Sequence, residues 1–212
     1  MKITWLGHSS FLLESSKGLK LLTDPFDDTV GYKVYEENAD IVTISHHHFD
    51  HDYTTKIKNN PKIIDTVGFT DTLGVKITGI SSYHDKIKGA KRGQNIIFIF
   101  EMDGFRLCHL GDLGHTLSKD DISKIGNIDV LFIPVGGNFT IDGKEAGEIA
   151  KNIHSHIVIP MHFKTSAINF PIEGTENFLI NMKNGEKVKD CTLELKDKLD
   201  EYDVVKILDY KK

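Results

Sequence analysis

From Ser45 to Asp52 the chain reads Ser-His-His-His-Phe-Asp-His-Asp, four histidines and two aspartates in eight residues. No packing requirement explains so many ionisable side chains in one place, whereas a cation-binding site does. The segment follows Ala39-Asp40-Ile41-Val42-Thr43-Ile44, a β-branched run that reads as a buried strand delivering side chains at its carboxyl end. With His46 to His48 extended, alternation turns His46 and His48 to one face and His47 to the other. Two imidazoles then converge on one metal. A turn at Phe49 brings Asp50 and His51 back toward a second position, completing the pattern His-x-His-x-Asp-His. The competing description is a solvated, histidine-rich loop with incidental metal affinity. The regular spacing and the strand upstream favour a built site.

Composition narrows what such a site can serve. A chain of 212 residues is long enough for one well-buried core and short for two catalytic domains, so residues 1–212 are expected to form one domain. Hydrophobic content of 39% with 27% charged residues is that of an ordinary soluble protein. No apolar run approaches the length of a transmembrane helix. Met1 to Trp5 enters a strand pattern without the basic and apolar regions of a secretory signal, which makes a cytoplasmic location the default expectation. Cys108 and Cys191 lack zinc-binding spacing and cannot build a disulfide framework. With a formal net charge of −5 and lysines and arginines scattered among acids, neither a nucleic acid nor a membrane is expected as partner. Bound divalent ions would still make the pocket locally positive, which suits a small anionic or carbonyl-bearing substrate.

Along the chain, residues 2–6, 10–14 and 18–23 read as a β-meander that ends at Asp24-Pro25. Residues 27–38 read as a loop, 41–45 as a strand, and 53–59 as a short helix closed by Asn60-Pro61. Strands are expected over 62–65, 75–80 and 95–100, the last apolar from Ile96 to Phe100 and therefore central. Met102-Asp103-Gly104 is a hairpin turn between 95–101 and 105–110. Ser118 caps a helix that turns Ile122 and Ile125 to one face. Strand 129–134, a helix over 146–153 and strand 157–160 follow in α/β alternation. After about Phe170 no motif is recognisable.

The motif, taken with Trp5-Leu6-Gly7-His8-Ser9-Ser10, Thr23-Asp24-Pro25-Phe26, Leu110-Gly111-Asp112 and Pro160-Met161-His162-Phe163 in that order, resembles the metallo-β-lactamase superfamily. Within it the chain is similar to a small bacterial branch that includes proteins like ascorbate-6-phosphate lactonase. The resemblance implies an α/β (α+β) fold, a four-layer αββα sandwich with metals at one edge of two sheets. It also implies three further ligands: His84 after strand 75–80, Asp112 as the bridge, and His162 near the end. His46, His48 and His84 would then hold the first metal, and Asp50, His51 and His162 the second. Nitrogen and carboxylate ligands without thiolate suit Zn²⁺, Mn²⁺ or Fe²⁺. His109 and His115, three residues either side of Asp112, are alternative ligands or supporting groups. His8 matches a position lining the cleft and is otherwise a turn residue. Asp24 matches an aspartate that braces the histidine motif from behind, or else is a solvated turn. Asn138, after Gly136-Gly137, is either a donor to substrate or part of a plain β-turn.

The chemistry this implies is hydrolysis of a small ester, lactone or phosphodiester by a hydroxide shared between two cations, with Asp50 orienting it or taking its proton and Asp112 holding the pair. A nuclease is the alternative, opposed by the missing basic stripes. Di-iron redox relatives carry a glutamate where His48 stands. A non-catalytic metal-binding domain would have no need of the full ligand set.

Overall fold

The first sheet owes its placement to strands that are apolar on both faces. The computed structural model describes residues 1–196 and 199–212. Six strands form this sheet: β1 (Lys2–Gly7), β2 (Ser10–Glu14), β3 (Lys20–Thr23), β4 (Ile41–Thr43), β5 (Lys62–Ile64) and β13 (Thr192–Glu194), in the order β13-β1-β2-β3-β4-β5. Alternation sends Phe11, Leu13, Leu21 and Ile41 into the main core, and Leu12, Leu22 and Val42 into a second cluster with Phe26, Val30, Tyr32 and Tyr35. Loop 24–38 therefore covers the outer face of this sheet.

The second sheet contains β6 (Gly68–Thr72), β7 (Val75–Tyr83), β8 (Gln94–Met102), β9 (Phe105–His109), β10 (Val130–Pro134), β11 (Ile157–Met161), β12 (Glu186–Val188) and β14 (Val204–Leu208). Their order is β12-β14-β11-β10-β9-β8-β7-β6. The expected hairpin joins β8 to β9, and Asp103 and Gly104 both take positive φ, 53° and 82°. All five residues of β10 are buried. Phe132 meets Phe11 of the first sheet with ring centroids 4.4 Å apart, so the two sheets stack face to face. The helices are α1 (Lys119–Ile125), α2 (Gly143–Ile153) and α3 (Glu176–Met182), with α2 packed on β10 and in contact with both others.

This is a mixed α/β fold with two stacked sheets and few helices. Helix α2, with α1 and α3 against it, covers the outer face of the second sheet, whereas the layer expected as helix outside the first sheet is irregular chain. Helix 53–59 does not form: Tyr53 N–H donates to Pro25 O at 2.9 Å and Lys58 N–H to Glu37 O at 3.1 Å, so this backbone is tied to loop 24–38. Helix α1 begins at the expected Ser118 capping box, with Ile125 buried. Helix α2 starts three residues before the expected position, because Asp142 accepts from Lys144 and Glu145 N–H in a second capping box. Among the described residues, no helix is long and apolar enough to cross a membrane.

Candidate metal centre

Strand ends and strand-joining turns deliver the polar residues to one edge of the stacked sheets. His46 to His51 follow β4, His84 follows β7, Asp112 follows β9, His162 follows β11, and His8 sits in the turn between β1 and β2. Three of the non-glycine residues here adopt the left-handed region: His8 at φ 52°, Asp24 at 39° and His162 at 51°. Such strain persists only where the surroundings fix it. His8 O does so by accepting from Trp5 Nε1 at 3.0 Å and from His162 N–H at 3.1 Å.

One set, Asp24 with His46 and His51, has ligand spacing behind the centre, and two more have it at the centre itself: His46, His48 and His84 in one, His8, Asp50, His51 and His162 in the other. Asp112 lies between them. Its carboxylate is 3.3 Å from His51 Nε2, 3.3 Å from His84 Nε2 and 3.2 Å from His162 Nε2. Burial pushes the Asp112 carboxyl up, but His162 and His51 beside it outweigh that and hold it well below the usual carboxylate range. His47 is exposed, within 3.3 Å of Asp52 and 3.5 Å of Asp65, and belongs to none of these groups. His46 and His48 stand together, with ring centroids 4.5 Å apart.

Asp24 lies behind both groups. It accepts from Ser45 N–H at 2.8 Å, from Ser45 Oγ at 2.6 Å and from His51 Nδ1 at 2.9 Å. Ser45 Oγ in turn lies 2.9 Å from His46 Nδ1. With Nδ1 of both histidines committed behind, their Nε2 lone pairs face the centre. Burial opposes ionisation of Asp24, while the His51 hydrogen bond and the nearby His109 more than compensate and keep its pKa low. Burial drives the imidazoles of His8 down to about 4 and of His46 to about 2, which keeps both neutral and able to ligate.

Whether this constellation fits cations can be judged from its unpaired atoms. His8 Nδ1, His46 Nε2, His51 Nε2, His84 Nδ1 and His162 Nδ1 are buried without a hydrogen-bond partner, five of the seven such atoms among the described residues. Each unpaired buried polar atom costs about 1–3 kcal/mol. His46 Nε2 and His51 Nε2 are the two turned to the centre, and orphaned imidazole lone pairs there fit a site that divalent ions complete.

The remaining expected residues sort by their hydrogen bonds. His109 is committed at both nitrogens, to Ser9 O at 2.8 Å and to Gly111 N–H at 3.2 Å. His115 likewise bonds Thr116 O and accepts from Tyr83 N–H. Neither has a lone pair left for a metal, so both support the loops instead. Asn138 is exposed, in a hollow shared with His84, Asp85 and Arg92, while its neighbour Phe139 lines the central cavity. His8, expected only to line the cleft, stands among the potential ligands with Nε2 3.1 Å from Asp50 Oδ2. Asn95 went unnoticed in the sequence: its Oδ1 accepts from Asp112 N–H at 2.9 Å, and a Cβ on Gly111 would lie 2.3 Å from that oxygen. A polar residue directly before the apolar run Ile96 to Phe100 was the available signal. The cavity above the centre, about 490 Å³, is lined by His47, His48, Asp50, His84, Arg92, Asp112, His162 and the aromatic rings of Phe49, Phe139 and Phe170.

Histidines and aspartates gathered at one edge of two stacked sheets define a metal-dependent hydrolase of the metallo-β-lactamase fold. The chain belongs to the β-lactamase superfamily domain family, whose sequence model matches residues 2–162. It is 32% identical over 197 residues to a UPF0173 metal-dependent hydrolase of Archaeoglobus fulgidus, covering 78% of this chain and 84% of that one. A UPF0173 metal-dependent hydrolase of Methanosarcina barkeri is 31% identical over 195 residues, with the same two coverages. Among solved structures, a protein of Thermotoga maritima provisionally assigned as a zinc-dependent hydrolase of the metallo-β-lactamase superfamily superimposes with a TM-score of 0.83 at 40% identity, covering 98% of each chain.

Proposed function

We propose that the chain is a dinuclear hydrolase of small esters, lactones or phosphodiesters, working with two Zn²⁺, Mn²⁺ or Fe²⁺ ions in the cytoplasm. His46, His48 and His84 would hold one ion, Asp50, His51 and His162 the other, with His8 as an additional donor to the second. Asp112 would be shared. The observation that carries this reading is the Asp112 carboxylate, within 3.3 Å of imidazoles from both groups. Bound there, two divalent ions would supply an acidified water and polarise the carbonyl or phosphoryl oxygen of the substrate.

The protein's own residues do the rest. Burial raises the Asp50 carboxyl, but His51 and the hydrogen bond from His8 pull it below the ordinary range, so it is ionised at neutral pH. Ionised, Asp50 can orient the attacking water by accepting its hydrogen bond or take its proton. Asp24 fixes His51 directly and His46 through Ser45, which preorganises both halves of the site. Phe49, Phe139 and Phe170 give the cavity apolar walls that exclude water from the bound substrate. We read residues 1–212 as one domain, since β13 pairs with β1 and β14 with β11, so both sheets use strands that lie beyond residue 162. Two free cysteines suit a reducing compartment.

The experiment is a screen of chromogenic esters, lactones and phosphodiesters with protein reconstituted in Zn²⁺ or Mn²⁺ against protein stripped by chelator. Turnover of one class that vanishes on stripping and returns with metal is expected. Turnover indifferent to chelation would refute the reading.

A further inference from the structure

Beside the ligand His84, loop 84–93 is built around one carboxylate. Asp85 is buried, and its two oxygens accept four backbone N–H bonds, from Ile87 at 2.9 Å, Gly89 at 2.8 Å, Lys91 at 2.9 Å and Arg92 at 2.8 Å. His84 N–H donates to Gly93 O at 3.1 Å and Gly93 N–H to Gly89 O at 2.9 Å, so the loop closes on itself. Its glycines are required: Gly89 and Gly93 have φ of 81° and 91°, and a Cβ on Gly89 would lie 2.8 Å from Gly93 O. A loop tied this tightly presents a side chain at a fixed place. The side chain it presents to the cavity is Arg92.

Arg92 is half-buried, and its guanidinium lies 5.3 Å from the centre of the Phe139 ring. It lines the central cavity together with His84, Asp112 and His162. Lys86 on the same loop is paired with Glu145, whereas Arg92 makes no ion pair among the described residues. An arginine held against an aromatic face, with its fork of donors unclaimed, is suited to a carboxylate or phosphate. The same cavity is walled in part by the apolar surface of Phe139 and Phe170, whose ring centroids are 6.4 Å apart.

We propose that Arg92 is a specificity-determining residue that binds a second anionic group of the substrate, distinct from the group that meets the metal-side residues of the same cavity. Resting on the hydrolase reading above, this narrows the substrate class to small esters or lactones that carry a carboxylate or phosphate of their own. Lys would supply the charge at this position without the planar fork, and Gln would supply neither.

The test is calorimetric titration of Zn²⁺-loaded protein with the α,ω-dicarboxylates from malonate to adipate and with the monocarboxylates of equal carbon number. Both classes can place one carboxylate on the metal side, and only the dicarboxylates have one left for Arg92. At least one dicarboxylate is expected to bind about tenfold or more tightly than its monocarboxylate partner, the worth of one charge-assisted pair. That advantage should collapse to about the twofold statistical factor in Arg92→Gln and be intermediate in Arg92→Lys, with metal content unchanged in both. An advantage that survives in Arg92→Gln, no advantage in the wild-type protein, or an equal loss for both probe classes in the variant would overturn the proposal. Protein that takes up no metal and binds neither class would instead overturn the hydrolase reading, a failure separately visible in elemental analysis of the same samples.

Discussion

Asp24 accepts a 2.9 Å hydrogen bond from His51 Nδ1 across 27 residues of sequence, and both side chains are fully buried. An unsupported imidazole can rotate and change tautomer. This one is held with Nδ1 protonated and Nε2 turned to the centre. Through Ser45 the same carboxylate also reaches His46, so one buried charge orients a histidine in each of the two groups.

Asp24→Asn keeps the size of the side chain and tolerates its left-handed backbone, but offers an amide where three donors now point. Metal affinity should fall about 10- to 100-fold, as for other partners behind ligating histidines. Ser45→Ala should show a smaller loss confined to one ion, because only the link to His46 is cut. Competition with a chromogenic chelator checks both, and unchanged affinity in Asp24→Asn would show that the brace is idle.

His47 offers an internal control within the motif. Its side chain is exposed and engages Asp52 and Asp65 on the surface. His47→Ala should alter metal affinity by no more than about twofold, the scale of an ordinary surface change. His46→Ala and His48→Ala should each lose an ion. Equal metal loss in all three variants would show that the histidines do not alternate as described.

Metal-free protein should be most stable near the ordinary pKa of histidine. Folded His8 and His46 resist protonation down to about 4 and about 2, whereas in the unfolded chain both take up protons near about 6.5. The unfolded chain thus binds more protons below that point, and stability from these two residues is lost as pH falls from about 6.5 toward 4. His51 acts in the opposite sense: burial lowers its pKa, but Asp112 and Asp50 raise it well above the ordinary value, so its contribution is complete below about 6.5 and lost as pH rises. Asp24 and Asp112, both held low, lose their contribution only below about 4. Thermal melts of chelator-treated protein from pH 4 to 9 check this, and a melting temperature that rises steadily toward pH 4 would contradict it.

Much of this clustering was legible in the sequence because its candidate ligands stand where β-branched strands stop. Ile41 to Thr43, Val75 to Ile80 and Ile157 to Ile159 announce themselves, and each hands a polar residue to the same edge. The role of His8 was hidden because its partner Asp50 lies 42 positions away, and nothing in Gly7-His8-Ser9 encodes which way the turn between β1 and β2 faces. Arg92 was hidden for a similar reason: the fold of its loop depends on the burial of Asp85, which a charged residue between His84 and Lys86 does not advertise. Strands β12 and β13 are three residues each, too short for a periodic signal, and β13 finds β1 through pairs such as Thr4 with Thr192. In contrast, Asp142-x-x-Glu145 was a readable capping box that fixes the start of α2. The failure of helix 53–59 was not readable, since hydrogen bonds to Pro25 and Glu37, remote in sequence, replace those of the helix.

The central claim is that Asp112 joins two cation sites, and metal counting tests it most directly. Wild-type protein and Asp112→Asn should be reconstituted with Zn²⁺ or Mn²⁺, freed of excess by gel filtration and analysed by plasma mass spectrometry, with circular dichroism to verify folding. The wild type should hold about two ions per chain, and the folded variant about one, since an amide compensates less of the repulsion between two cations. At most a fraction of one ion in the wild type, or an undiminished pair in folded Asp112→Asn, would contradict the account.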